Sequence, residues 1–418
     1  MKQPKLFELA ADDRERFGIY RRERSEEMDF RGTPASFGVY GIHPYPAMFH
    51  YLVVRRLMDE FSKEGELVFD PFMGSGVAAV ESLIGGRRFV GYDINPLAVL
   101  IAKVRSTPLE SRALLFALKL IVENYERTEP TEVHFHNIDY WFDAETIESL
   151  SKLKQAIYKI EDSDIRDFFK VAFSEAVRKV SRTRFNEFKL LRKENHEPQD
   201  VIRVFYELSR RNIALMSDFY RRNPPKTTEI ELEARDVLGS LPLEDESVDF
   251  VVTSPPYGDS KTTVAYGQFS RLPLRWMGLD EKVDRSSLGG RTKEVHHELP
   301  SETLYRAIAE IRERSEKRAR EVLSFYADLF EAVKVIARKL KAGKAACFVV
   351  GNRRVKGLEL PTDKISADFF EHCGCEHHKT LVRAISNKRM PLENSPTNIR
   401  GKKDTTMRYE YIVIVRKR

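Results

Sequence analysis

The sequence predicts an α/β fold: a doubly wound, mostly parallel sheet interrupted by a large helical insertion. Three observations point there. A strand, a glycine turn, a helix and a second strand follow one another from Glu66 to Asp93, which is one βαβ repeat. Short apolar strand patterns recur at 248–253 and 345–351, separated by helical patterns. Residues 103–226 show long helical periodicity with few glycines, so they read as an insertion after the second strand.

Each element has its own signal. Residues 1–40 form a lead-in, polar and charged over most of its length, with Arg-Arg-Glu-Arg at 21–24. Residues 47–63 place apolar side chains every three or four positions, the helical repeat. Glu66–Asp70 is a short buried strand. Gly74-Ser75-Gly76 breaks it, Val77–Ile84 continues as a helix, and Gly85-Gly86 stops that helix. Arg88–Asp93 is the second strand. After the insertion, Thr228–Asp236 alternates as a strand, and Val248–Thr253 is a buried strand running into Ser254-Pro255-Pro256-Tyr257. Residues 280–300 read as loop, and Leu304–Lys341 as a charged helical region broken once. Ala345–Gly351 is a strand and Ile365–Cys373 a helix. His377–Ile385 and Arg408–Val415 are two closing strands joined by a loop rich in Asn, Pro and Lys. The body of the fold is thus 41–102 together with 227–418.

Composition narrows the class. The 418 residues are 42% hydrophobic and 32% charged, which excludes a collagen-like or largely disordered chain. No apolar run reaches the ~18 residues that span a bilayer, and the first residues lack an apolar signal core, so a cytoplasmic protein is expected. Three cysteines give no disulfide framework. Cys373 and Cys375 lie near His372, His377 and His378, but their spacing does not fit a zinc knuckle and no second pair exists. They read as structural, and no metal is predicted. The net charge of +6 is uneven. Residues 178–226 hold 13 Lys or Arg against 6 Asp or Glu, and residues 383–418 hold 10 against 3. Two basic segments on an otherwise acidic body suggest a polyanion partner.

Two turns carry the chemistry. In the first, Asp70-Pro71-Phe72-Met73-Gly74-Ser75-Gly76, glycines let the backbone approach a ligand beyond the strand ends. Asp93, closing the second strand, is placed to accept from ribose hydroxyls, and Ile94 follows it. An acidic Asp70 and a bulky Phe72 disfavour a pyrophosphate there. A ligand with a cationic centre and an α-amino group suits Asp70 better, and S-adenosylmethionine has both. Asp236, at the end of the third strand, is positioned to meet its adenine amine. In the second turn, Pro255 and Pro256 remove two backbone donors. The Ser254 oxygen and the carbonyls of Ser254 and Pro255 remain as acceptors, beside the flat face of Tyr257. That set suits an exocyclic amine on a planar base. A base inside a duplex must be rotated out to reach it.

Together, Asp70–Gly76 and Thr253–Tyr257 resemble the amino-DNA methyltransferases, which methylate an exocyclic nitrogen of adenine or cytosine. Further segments resemble that family: His43-Pro44-Tyr45-Pro46-Ala47, Gly258–Ser270, Gly351-Asn352-Arg353 and Asn387–Asn398. The resemblance covers most of 40–418 and is weakest over 103–226. It implies a Rossmann-like methyltransferase fold and S-adenosylmethionine held by Pro44, Asp70, Pro71, Phe72, Gly74, Ser75, Gly76, Asp93, Ile94 and Asp236. It implies a target base received by Ser254, Pro255, Pro256 and Tyr257. Serine ahead of Pro-Pro-Tyr resembles the cytosine-N4 branch, with adenine N6 remaining open. An RNA guanine-N2 enzyme would usually carry Asn-Pro-Pro-Tyr and an additional N-terminal domain. A catalytically silent DNA-binding protein would not need both turns intact. No cysteine lies near either turn, against the thiolate chemistry of cytosine C5.

The implied partner is double-stranded DNA, with a cognate restriction endonuclease. Arg182, Arg184 and Lys189 in the first basic segment are candidate DNA contacts, interleaved with Phe185 and Phe188. Lys388, Arg389 and Lys402 in the second, and Arg353 beside the sheet, are the others. Such contacts position a duplex without reading its sequence. The insertion at 103–226 is the candidate recognition region.

Overall fold

The computed structural model describes residues 20–184, 188–258, 264–385 and 407–418, with two short strand pieces at 393–394 and 404–405. An eight-stranded sheet forms its centre. In chain order the strands are β1 (Arg22–Arg24), β2 (Leu67–Asp70), β3 (Arg88–Asp93), β4 (Ile230–Ala234), β5 (Val248–Thr253), β6 (Leu340–Val350), β7 (Cys375–Ala384) and β8 (Tyr409–Lys417). Their spatial order is β1-β7-β8-β6-β5-β2-β3-β4. β4, β3, β2, β5 and β6 are mutually parallel, and β8 runs antiparallel between β6 and β7. The order reverses at β2, which lies between β3 and β5. That is where an open α/β sheet leaves a crevice beyond its strand ends.

Both sheet faces are covered, so the central strands are apolar without alternation. Val68, Phe89, Phe250 and Cys347 face one core, and Phe69, Val90, Val251 and Phe348 face the other. On the first face lie α1 (Tyr51–Phe61), α2 (Val77–Gly85) and α3 (Pro96–Arg105). With them pack the insertion helices α4 (Ser111–Arg127), α5 (Ala144–Tyr158), α6 (Ser163–Val180) and α7 (Val201–Arg222), and then α8 (Tyr266–Met277). Leu114, Phe168, Phe205 and Trp276 belong to the same buried cluster as Val68, so the insertion shares its core with the sheet. The second face carries α9 (Glu302–Arg314), α10 (Glu316–Lys339) and α11 (Thr362–His372).

Local chemistry starts and stops these helices. The Asn95 side chain accepts from the Leu97 amide at the start of α3, with Pro96 in the first turn. Asp143, Asp162 and Asp200 cap α5, α6 and α7. Ser315 caps α10 and marks the break from α9 that the sequence predicts. The loop expected at 280–300 is packed rather than loose, since Leu288 and Leu299 are buried. The lead-in is also used: β1 pairs parallel with β7, closing an edge that would otherwise be bare. Its first 19 residues lie outside the described part.

Candidate active site

The glycine turn is held by carboxylates. Asp93 Oδ2 accepts from the Gly74 amide at 3.0 Å and Oδ1 from the Asn95 amide at 2.8 Å. One side chain therefore fixes both the turn after β2 and the turn after β3. Asp70 Oδ1 accepts from the Phe72 amide at 3.1 Å and from the Thr253 hydroxyl at 2.6 Å, linking the β2 end to the β5 end. Gly76 has φ 80° and lies against α3. A Cβ there would sit 2.5 Å from the Ala102 Cβ, so only glycine lets α2 start that close to α3.

These turns line one cleft, partly open to solvent. Asp70–Ser75 form its floor and Tyr45–Phe49 one wall. Asp93–Asn95 and Arg235–Val237 form another, and Ser254, Pro256 and Tyr266 face them. Burial pushes the Asp70 carboxyl up to about 7 and Asp93 up to about 6, with the hydrogen bonds they accept opposing the shift. Two carboxylates in a cleft, with no ion-pair partner among the described residues, await a cation. A sulfonium and an ammonium on a nucleoside fit that donor set, as S-adenosylmethionine does.

The predicted residues divide accordingly. Asp70, Pro71, Phe72, Gly74, Ser75, Asp93, Ile94 and Asp236 line the cleft. Pro44 does not: it is exposed, and the next residues, Tyr45–Phe49, form the wall instead. Gly76 sits behind the floor and acts through its contact with α3. Asp236 lies at the mouth, and its Oδ1 also accepts from the Leu238 amide at 2.9 Å, an ordinary turn role. Ser254 and Pro256 reach the cleft, while Pro255, which is buried, and Tyr257 do not line it. The Tyr257 ring lies against Gly351. Its hydroxyl is 3.2 Å from Ser254 Oγ and donates to Glu410 Oε1 at 3.3 Å.

Some supports carry no motif. Asn95 donates to the Tyr45 hydroxyl at 3.0 Å and to Ser270 Oγ at 2.8 Å, tying a cleft wall to α8. Arg105, fully buried, donates to the Ser75 carbonyl and Oγ at 3.0 and 2.6 Å. It also donates to the carbonyls of Tyr40 and His43 at 2.6 and 2.9 Å. It thereby clamps the segment leading to Tyr45 onto the glycine turn. Burial pulls its guanidinium down to about 9. The signal for Asn95 was its capping position before Pro96. Nothing local marks Arg105.

Of the candidate DNA contacts, Arg184 and Lys189 are exposed, and Arg182 is half-buried, donating to the Asp139 carbonyl at 3.1 Å. A bridge from Thr183 to Arg192 folds this segment back on itself, and the Leu190 amide donates to Gln268 on α8 at 3.2 Å. The basic segment therefore adjoins the helix that supplies Tyr266 to the cleft. Arg353 departs from expectation. It is buried, its guanidinium 5.4 Å from the Phe325 ring centre and packed over Gly258, so it supports the Ser254–Tyr257 turn from within rather than offering a surface charge. Lys388, Arg389 and Lys402, like Phe185, lie outside the described residues.

Comparison with known proteins places this geometry. Residues 13–104 match the DNA methylase family model of the N6/N4 type. The chain is 37% identical over 432 residues to the type II methyltransferase M.MvaI of Kocuria varians, covering 94% of each protein. This chain belongs to the amino-DNA methyltransferases. It is also 24% identical to the type II methyltransferase M.BsoBI of Geobacillus stearothermophilus, over 79% of this chain and 77% of that one. Among solved structures, a SAM-dependent methyltransferase from Methanosarcina mazei is 10% identical, covering 86% of this chain and 96% of that one. Its TM-score of 0.31 is too low to carry weight. The protein is a type II DNA methyltransferase with S-adenosylmethionine as its cofactor, and DNA is its substrate. No helix among the described residues is long and apolar enough to cross a membrane.

Proposed function

We propose that this methyltransferase modifies the exocyclic N4 of cytosine in duplex DNA, acting on a base rotated out of the helix. The observation that carries the reading is Ser254. A serine opens the catalytic turn, and it reaches the same cleft as the glycine turn that suits the cofactor. Bound S-adenosylmethionine supplies a methyl group on a cationic sulfur. Asp70, at the cleft floor, balances positive charge on the ligand, and Asp93 receives its ribose hydroxyls with the lone pairs left over from Gly74 and Asn95. Asp236 meets the adenine end at the mouth.

The target cytosine amine has its lone pair delocalised into the ring. Ser254 Oγ and the Ser254 and Pro255 carbonyls accept its two N–H groups, which favours a pyramidal nitrogen whose lone pair can attack. Tyr257 supplies an aromatic face for the base. With the cofactor bound, the N–CH3 bond would form as the S–CH3 bond breaks, leaving a neutral thioether, and the nitrogen would release its extra proton to water in the cleft, which is partly open to solvent. No covalent bond joins enzyme and base. Arg182, Arg184, Lys189, Lys388, Arg389 and Lys402 would meet phosphates along the duplex, with the insertion helices as the recognition region. A cytoplasmic role protecting host DNA from a cognate endonuclease fits the type II relatives.

The test is transfer of labelled methyl from S-adenosylmethionine to unmethylated duplex DNA, with tRNA as a parallel substrate and separation of the product nucleosides. Label in N4-methylcytosine supports the proposal. Label in N6-methyladenine moves the target base, and label only in tRNA overturns the substrate class.

A further inference from the structure

A serine hydroxyl can donate or accept a hydrogen bond, but only an acceptor serves a base amine. Something must therefore orient the Ser254 proton. We propose that Glu410, on β8, is a positioning residue that sets this orientation through Tyr257. The inference rests on the reading of Ser254–Tyr257 as the target-base turn.

The geometry is a directed relay. Arg383, itself buried, forms an ion pair with Glu410 and donates through Nε to the Met28 carbonyl at 2.7 Å. The ion-paired carboxylate accepts and does not donate. Tyr257 has a single hydroxyl proton, and it points to Glu410 Oε1 at 3.3 Å. The tyrosine oxygen is then left as an acceptor for its other neighbour. Ser254 Oγ, 3.2 Å away, donates its proton to that oxygen. With its proton turned inward, Ser254 presents lone pairs to the cleft. The relay thus makes a serine behave as a fixed acceptor. Both hydroxyl contacts are longer than the ~2.8 Å typical of such bonds, as is common at catalytic sites until substrate tightens them.

The surroundings hold the relay in place. The Tyr257 ring is pressed to the Gly351 backbone, where a Cβ would come within 2.7 Å of the ring. The Ala384 amide, next to Arg383, donates to the buried Asp29 carboxylate at 2.7 Å, and Arg24 pairs with the same carboxylate. The segment Arg24–Asp29 of the lead-in therefore braces the strand that carries Arg383. Nothing in the sequence near Ser254 shows this dependence, because Glu410 lies 153 residues from Tyr257.

A mutant cycle on single-turnover methyl transfer to duplex DNA tests the relay. Glu410→Ala should slow transfer tenfold or more, with S-adenosylmethionine and DNA affinities unchanged within twofold. In a Tyr257→Phe background, where the relay is already cut, adding Glu410→Ala should slow transfer less than twofold further. In a Ser254→Asn background, whose carbonyl oxygen accepts without a relay, Glu410→Ala should likewise cost less than twofold. If Ser254→Asn is inactive, the Tyr257→Phe comparison decides alone. Equal losses from Glu410→Ala in every background, or a Glu410→Ala enzyme as fast as wild type, would overturn the proposal. Absence of any transfer by the wild type would overturn the reading of the turn, and the relay with it.

Discussion

The two turns of the cleft are built differently. The glycine turn is fastened mainly from within residues 70–105: Asp70 bonds the Phe72 amide, Asp93 bonds Gly74 and Asn95, and Arg105 bonds Ser75, while the Thr253 hydroxyl on Asp70 ties it to the second turn. The Ser254–Tyr257 turn depends on distant parts of the chain, with Gly351 under the tyrosine ring and Glu410 on its hydroxyl. Most of the first turn's fastenings come from one stretch of sequence, with the Thr253 bond as a link across to the second. The second is set by how the last strands and the lead-in pack. Damage to one should therefore leave the other largely intact, and that separability can be broken or sharpened experimentally.

The largest effect is expected at Tyr257. Tyr257→Ala removes the aromatic face and the relay hydroxyl together. Aromatic–base stacking alone is worth about 1–3 kcal/mol. Transfer should fall at least a hundredfold, while calorimetric titration finds S-adenosylmethionine affinity within about threefold of wild type. A parallel collapse of cofactor affinity would show that the turns are not separable.

Asp93→Ala should do the reverse. It loses the proposed ribose acceptor and frees the Gly74 and Asn95 amides, at about 1–3 kcal/mol for a charge-assisted hydrogen bond. Cofactor affinity should drop roughly 10- to 100-fold by titration, with transfer at saturating cofactor much less affected. Normal binding would remove Asp93 from the ribose role.

The pH dependence tests both carboxylates at once. Asp70 titrates near 7 and Asp93 near 6 in the free protein, each raised by burial. A raised carboxyl stabilises the folded state below its unfolded value near 4, and that contribution is lost as pH rises through the folded value. The free protein should therefore lose stability from these groups as pH climbs from about 4 to about 7. A cationic cofactor binds the ionised forms, so its affinity should rise over the same range. Thermal melts with and without cofactor across pH read both signs. An affinity that stays flat through pH 6 and 7 would contradict the cationic role of the cleft floor.

The smallest effects belong to the basic segment. Arg184→Ala and Lys189→Ala should each lower DNA affinity a few-fold and reduce the slope of log affinity against log salt by about 1, as lost phosphate contacts do. Cofactor affinity should not move. An unchanged salt slope would return these residues to plain surface charge.

The same contrast explains what was legible in the sequence. β2, β3 and β5 declared themselves as apolar runs ended by glycine or proline, because buried parallel strands have no polar face. Asp70, Asp93 and Ser254 stood at strand ends, where such sheets place their ligands, and all three line the cleft. Pro44 was misplaced by a single position, since a motif marks a segment and not which side chain turns inward. Arg353 looked like surface charge because its burial over Phe325 comes from packing distant in sequence. Arg105 and Glu410 were invisible for the same reason. Their roles are made by tertiary contacts across 30 to 153 residues, and no local pattern encodes those. The insertion reads as helical from its periodicity, but only the structure shows that it shares its core with the sheet.

The most direct test of the account is mass spectrometry of nucleosides from plasmid DNA made in cells that express the wild-type protein or Tyr257→Ala. The account predicts N4-methylcytosine in the first and none in the second. N6-methyladenine in the wild-type sample, or equal N4-methylcytosine from both proteins, would contradict it.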